Sequence, residues 1–346
     1  MVAEKLRIGI AGLGRMGKRH AINFHELTAR ANVVAASTPD PNERKWATEA
    51  LEGIEIFDDY DEMLEKANLQ AVVVASITAV HAEQTLKAIK RGLHVICEKP
   101  ISIDIEVAQS VVTAYEESLK THPKQKVMCA FSRRFDESYR EAHNRVQNGE
   151  FGSPVFFRSQ TADLYDSSDF FAEYAKTSGG IFVDCSIHDI DLMLWFLGED
   201  RRIKSLQAVG VCAVHPGLVA SNDRDNAIAT VEFEGEKIAA LYCSRMMAAG
   251  QEDTSEIICE WGSVRVNMQV RKNHVEYHDS QGVRRELPQH YYERFREAFI
   301  TEASEFTACC LDDTPPPISL QSSVKAVSIG QALQRSLISG EKIFFD

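Results

Sequence analysis

The sequence has no CxxC pair among its eight cysteines, no apolar run of membrane-spanning length, no internal repeat and no low-complexity tract. Without such pairs, Cys97, Cys129, Cys185, Cys212, Cys243, Cys259, Cys309 and Cys310 read as reduced core residues rather than disulfides or a zinc site. Without a long apolar run, and with a start, MVAEKLRIGIAG, that enters a strand directly, the expected location is cytoplasmic. Positive charge is in deficit too. The 38 Lys and Arg stand against 51 Asp and Glu, a net charge of −13. Such a surface repels phosphate backbones and anionic headgroups, so nucleic acid and membrane are poor partners.

What is present amounts to two domains. A chain of 346 residues, 44% hydrophobic, exceeds what one compact core usually takes. In the first part, short apolar runs of strand length (LRIGIAG, NVVAAST, QAVVVAS, LHVICE and KVMCAF) alternate with segments of helical spacing such as HAEQTLKAIKRG. That alternation predicts a doubly wound parallel sheet. After about residue 150, strands follow one another through tight turns at Glu234 and Gly235, at Trp261 to Ser263 and near Ser280 to Gly282. These read as hairpins of an antiparallel sheet, with one face covered by the helix of DCSIHDIDLMLW and by YYERFREAFITEASEFTACCL. The expected class is α/β followed by α+β: a dinucleotide-binding domain over 1–125 and a substrate-binding and oligomerisation domain over 126–346.

The first chemical signal is IGIAGLGRMGKRH, a G-x-G-x-x-G at Gly12, Gly14 and Gly17 that follows a strand and opens a helix through Arg15 and Met16. The glycines serve a tight turn, close approach of backbone to a pyrophosphate, and close helix-on-strand packing. An NAD site usually has an acid at the end of the second strand. Here Ser37 and Thr38 stand there, hydroxyls that suit a 2′-phosphate with Arg44 or Lys45 to neutralise it, while Asp40 can still serve NAD. The cofactor is NAD or NADP, with the balance toward NADP.

Two further stretches carry chemistry. HVICEKPIS places Glu98 and Lys99 at the carboxyl end of a parallel strand, where ligands of this sheet class bind, with Pro100 stiffening the turn. In DCSIHDIDLMLW, residues Asp184, His188 and Asp191 fall on one side of a helix, against Val183, Ile187, Ile190, Leu194 and Leu197. A carboxylate four residues before an imidazole is the equipment of a general base; an ion pair at a domain seam reads equally well from this stretch. A metal site is disfavoured, since no second histidine stands at ligand spacing.

In this order and spacing, G-x-G-x-x-G, E-K-P and G-G-x-x-x-D-x-x-x-H resemble the glucose-fructose oxidoreductase, inositol dehydrogenase and MocA family, and GGIFVDCSIHDIDLMLWFLG is similar to its inositol 2-dehydrogenase branch. The resemblance implies an open-faced sheet after the Rossmann domain, oxidation of a ring hydroxyl on a cyclitol or sugar, and a tetramer built on those sheets. It places the catalytic trio at Lys99, Asp184 and His188, with His188 as base, Asp184 as its orienter and Lys99 on the reacting oxygen; His188 and Lys99 can exchange roles. It places the strands of Asp163 and of Tyr242 or Arg245 around the substrate. FSRRFDESY follows the last strand of the nucleotide domain, so Arg133 or Arg134 can reach a polyol, and pairing of one of them with Asp136 or Glu137 reads equally well. SITAVHAEQTL is expected to run past the nicotinamide ribose, where Ser76, Thr78 and His81 offer hydrogen bonds; a helix-start role is the other reading of Thr78. Thr38 departs from the aspartate common in NAD-using members. The other function in view is a regulator that senses the dinucleotide without turnover.

Overall fold

The computed structural model describes residues 4–168 and 170–345. The chain forms two compact units, one of residues 1–135 with 297–324, the other of 136–296 with 325–346.

The first unit has strands β1 (Leu6–Ala11), β2 (Ala31–Ser37), β3 (Glu55–Phe57), β4 (Ala71–Val74), β5 (His94–Glu98) and β6 (Val127–Ala130). Between them run helices α1 (Arg15–Glu26), α2 (Pro41–Ala50), α3 (Tyr60–Lys66), α4 (Thr78–Lys90) and α5 (Ile105–Ser118). All strands are parallel, in the order β3-β2-β1-β4-β5-β6. The order reverses between β1 and β4, and in open α/β sheets the crevice at the strands' carboxyl ends there is the ligand position. β1 and β4 are almost wholly buried, as continuous apolar runs covered on both faces require. The short β3 is absent from the sequence reading, since EIF is too brief to set up a period.

The second unit contains α6 (Glu137–Gln147), β7 (Pro154–Leu164), α7 (Phe170–Ser178), α8 (Ile181–Asp184), α9 (Ile187–Leu197), β8 (Ile203–Val211), β9 (Asn226–Phe233), β10 (Lys237–Met247), β11 (Glu252–Cys259) and β12 (Ser263–Val266). A two-strand ribbon, β13 (Tyr277–Asp279) and β14 (Gly282–Arg284), follows, and the short β15 (Ile343–Phe344) ends the series. The seven-stranded sheet has the order β12-β11-β7-β10-β9-β8-β15, mixed because β7 and β10 are parallel while its other pairs are antiparallel. The turn after β9 places Gly235 and Glu236 at positive φ, which suits the glycine at its centre. The third expected hairpin is the separate ribbon, not a part of this sheet.

Two long helices, α10 (Tyr291–Asp312) and α11 (Leu320–Ser339), complete the chain. α10 was expected to cover the antiparallel sheet, yet its residues from 297 onward belong to the first unit. The reason is aromatic packing on α1: Phe306 meets Phe24 edge-on at 6.4 Å, and Phe299 meets His20 at 6.0 Å. The unit boundary at 135, with return of 297–324, also departs from a single division at 125. β6 is the last strand of the parallel sheet and cannot be separated from it.

Candidate active site

In the first unit, the candidate residues gather at the carboxyl ends of the parallel strands. Gly14 caps α1 without a side-chain bond, and the helix has no acidic residue in its first turn. Its leading N–H groups and positive dipole end suit an anion. The glycines are not equivalent. Gly12 has φ of +86°, and a Cβ there would collide with the Ser76 backbone; a Cβ at Gly17 would collide with the Gly12 carbonyl oxygen. At Gly14 it would meet only Glu43 Oε1, at 3.7 Å. The protein therefore has room for a side chain at Gly14 and none at the other two, which is the pattern expected where a ligand's phosphates approach the backbone. Arg15 and Met16 open the helix behind it.

At the end of β2, Ser37 is buried and its carbonyl accepts from the Gly12 N–H at 2.8 Å. Thr38 Oγ1 donates to Glu43 Oε2 at 2.5 Å, and Arg44 Nη1 donates to the Thr38 carbonyl at 2.9 Å. Asp40 is committed elsewhere: its Oδ1 accepts from the Asn42 N–H at 2.7 Å and the Glu43 N–H at 3.4 Å, capping α2. The carboxylate beside Gly14 is thus Glu43, which the sequence reading missed because it lies on the following helix rather than the strand end.

After β4, Ser76 Oγ donates to Gln84 Oε1 at 2.7 Å. Thr78 is the first residue of α4, whose cap is Ile77, without a side-chain bond. The His81 ring is buried between two carbonyl oxygens, those of Pro100 at 2.9 Å and Ser76 at 3.1 Å, and so ties this loop to the E-K-P turn. In that turn the Lys99 N–H donates to Glu98 Oε2 at 3.1 Å, and Glu98 Oε1 lies 2.7 Å from His20 Nε2. Burial pushes the Glu98 carboxyl up, but the hydrogen bond and charge of His20, with Lys99, outweigh it and leave the group below its ordinary value. Arg133 and Arg134 are buried in the 3₁₀ turn after β6, and Arg134 Nη2 donates to Ser322 Oγ at 2.9 Å.

In the second unit the Asp–His stretch is two helices, since the chain loosens at Cys185 and Ser186 between α8 and α9. Asp184 and His188 keep partial exposure within an otherwise buried run from Ile181 to Leu194. Asp191 does not join them, being only 1% exposed, so the expected polar stripe of three reduces to two. α9 is buried nearly all round, as a helix inside a core is. Its other acid, Asp189, accepts from Ser159 Oγ at 2.6 Å, Thr161 Oγ1 at 2.7 Å and Ser186 Oγ at 3.2 Å, which pins the helix to β7.

Asp184 is held on both oxygens. Tyr174 Oη donates to Oδ1 at 3.1 Å and Arg245 Nη2 to Oδ2 at 3.2 Å. Asp163, from β7, stands on the same side, with Cys185 Sγ at 3.8 Å. Burial and then the neighbouring Asp253 push its carboxyl above the usual range, opposed by a hydrogen bond from Gln251. Burial likewise pushes the Cys185 and Cys243 thiols well up, so they are poor nucleophiles. Tyr242 differs from its expected company. Leu241, Cys243 and Arg245 are buried, whereas Tyr242 alternates onto the other face with the half-exposed Ile238, and its Oη donates to Asn226 Oδ1 at 3.0 Å. It therefore lies across the sheet from Asp184.

Comparison with known proteins bears on the family and the fold. Residues 6–125 match the oxidoreductase family with an NAD-binding Rossmann fold, and residues 139–265 match the GFO/IDH/MocA C-terminal domain. The chain is 28% identical over 346 residues to the scyllo-inositol 2-dehydrogenase (NAD(+)) of Bacillus subtilis, covering 99% of this chain and 97% of that protein. It is 28% identical to the myo-inositol 2-dehydrogenase of Thermotoga maritima, over 96% of both. Among solved structures, the scyllo-inositol dehydrogenase of Lactobacillus casei with bound NAD(H) and scyllo-inositol aligns with a TM-score of 0.92 at 32% identity, over 99% of each chain. With both domain types in order and likeness along its whole length, the chain belongs to the glucose-fructose oxidoreductase, inositol dehydrogenase and MocA family of oxidoreductases.

Proposed function

We propose that the protein is an NAD-dependent dehydrogenase that oxidises a ring hydroxyl of a cyclitol, with inositols as the first candidates. The observation that carries the reading is the Asp184–His188 pair: two polar side chains partly open in a buried run, the carboxylate fixed on both oxygens. A protein that only senses a dinucleotide has no need of such a pair. Its close overall likeness to dehydrogenases named for inositols adds the substrate class.

The roles follow from the chemistry of alcohol oxidation. A bound nicotinamide would supply the hydride acceptor for the hydroxyl-bearing carbon. His188 accepts the hydroxyl proton, Asp184 fixes and supports the imidazole, and the Lys99 ammonium binds the oxygen as negative charge develops on it. Gly12, Gly14, Arg15, Met16 and Gly17 bind the pyrophosphate, and Ser76, Glu98 and His81 hold the loops that carry Lys99. Asp163 is the polyol contact favoured in the second unit, because it is only partly buried and stands on the Asp184 side of β7, beside Cys185.

For the cofactor, NAD is favoured over NADP. The Thr38 hydroxyl does not stand open for a 2′-phosphate; it holds the Glu43 carboxylate beside Gly14, where that charge repels a phosphate and accepts from ribose hydroxyls. We also propose a homo-oligomer, a tetramer, built on the seven-stranded sheet. Val209, Ile228, Ile238 and Ile258 are 37–54% exposed in alternation with buried neighbours, an apolar face that needs cover. The test of the activity is a panel of inositols and aldoses assayed with each nicotinamide. Turnover of at least one inositol with NAD is expected; turnover of none, with either cofactor, overturns the reading.

A further inference from the structure

Among the described residues, Arg245 is the largest side chain with essentially no exposure. It was expected to touch the polyol. Instead its guanidinium is divided between two carboxylates, Nη1 donating to Asp223 Oδ2 at 2.8 Å and Nη2 to Asp184 Oδ2 at 3.2 Å, with the Phe171 ring 5.2 Å from its centre. Asp223 is itself fully buried, and its other oxygen accepts from the N–H of Ile181 at 2.8 Å and of Arg224 at 2.9 Å. Ile181 is the first residue of α8, and Asp184 is its last.

The connections close a ring. Asp223 grips the start of α8 through one oxygen and Arg245 through the other, while Arg245 grips the carboxylate at the end of α8. We propose that Arg245 and Asp223 are positioning residues that fix the Asp184 carboxylate in place, so that it can support His188. The inference rests on the dehydrogenase reading and deepens it. A polyol contact by Arg245 is disfavoured, because its two terminal nitrogens are engaged and it has no exposure.

The electrostatics agree. Burial opposes the charge on Arg245, but Asp223 and Asp184 more than offset it and lift its pKa above the ordinary arginine value. The surrounding ionisable groups are mostly acids or thiols: Asp163, Asp184, Asp223, Asp189, Cys185 and Cys243. The basic side chains at this point are His188, His215, whose Nε2 lies 3.2 Å from the Arg245 carbonyl, and Arg224, whose Nη1 donates to the Asp223 carbonyl at 2.8 Å. Removing the guanidinium takes away the cation that holds the Asp184 carboxylate on one oxygen.

The test compares Arg245→Met, Arg245→Lys and Asp223→Asn with the wild type. For Arg245→Met, kcat is expected to fall by about 10²-fold, the usual cost of a displaced catalytic group. The KM for the nicotinamide stays unchanged, and the acidic limb of the pH–rate profile moves to higher pH. Arg245→Lys restores part of kcat, and Asp223→Asn reproduces the shift in milder form if Arg245→Met does not fold. Wild-type kcat and pH profile in folded variants would overturn the inference. A reading that needs no substrate separates this outcome from failure of the dehydrogenase reading itself. The infrared carboxylate stretching band assigned to Asp184, by difference against Asp184→Asn, shifts in frequency in Arg245→Met if the bracket acts as described. An unchanged band refutes it, whether or not any cyclitol is turned over.

Discussion

Glutamine in place of Glu302 is expected to stabilise the protein, by an amount that grows as the pH rises. Glu302 lies on α10 with no exposure, and neither carboxyl oxygen has a hydrogen-bond partner among the described residues. Burial, and then the charge of Glu98, push its pKa well above the ordinary value, so the folded protein keeps this proton to higher pH than the unfolded chain does. In the unfolded chain the same group ionises near pH 4.3. Between those two points the folded state carries one proton more than the unfolded state. Stability is therefore fully present below the unfolded pKa and is lost as the pH climbs toward the folded pKa, at about 1.4 kcal/mol per pH unit. Glutamine resembles the protonated acid in shape and cannot ionise. Denaturant unfolding of both proteins from pH 4 to pH 8 should give curves that coincide within about 1 kcal/mol at the acid end and then diverge with that slope. Other buried acids, Asp163 included, contribute to both curves and cancel in the difference. Parallel curves, or a variant less stable than wild type at pH 8, would refute the account, because they would mean an ionised and well-partnered carboxylate at this position.

Three further outcomes follow from the geometry. Gly14→Ala should fold with a melting temperature close to wild type, since its Cβ meets only Glu43 Oε1, yet lose nicotinamide binding; normal binding by calorimetry would show that no phosphate approaches there. Glu43→Gln should raise the KM for NAD by roughly 10- to 100-fold, the value of hydrogen bonds to a charged group, and lower that for NADP; equal effects on both would displace Glu43 from the ribose role. Light scattering at micromolar concentration should report an oligomer, and a monomer would contradict the role assigned to the open sheet face.

Much of this was legible in the sequence where the determinants are local. The glycine spacing fixes a strand–turn–helix because Gly12 takes positive φ and Gly17 packs on the Gly12 carbonyl, both demands within a few residues, and the turn at Glu234 and Gly235 was readable because positive φ favours glycine. Asp184 and His188 were readable as a pair by helical spacing, although the helix breaks between them. What stayed hidden depends on residues distant in the chain. Arg245 meets Asp184 across 61 positions and Asp223 meets Ile181 across 42, and nothing in SNDRDN or LYCSRM signals it. The first-unit placement of α10 rests on Phe299 and Phe306 finding α1, which the helix's own period cannot say. Thr38 pointed toward NADP only because Glu43, one helical turn on, was out of view.

The central claim is that His188 does chemistry rather than hold its helix in place. Turnover and melting temperature measured together in His188→Ala and Asp184→Asn test it most directly. The account predicts a loss in kcat of about 10² to 10⁴ for the histidine variant and a smaller loss for the asparagine variant, with nicotinamide binding intact and melting within a few degrees of wild type. Early melting in both, with normal turnover by the fraction still folded, would contradict it.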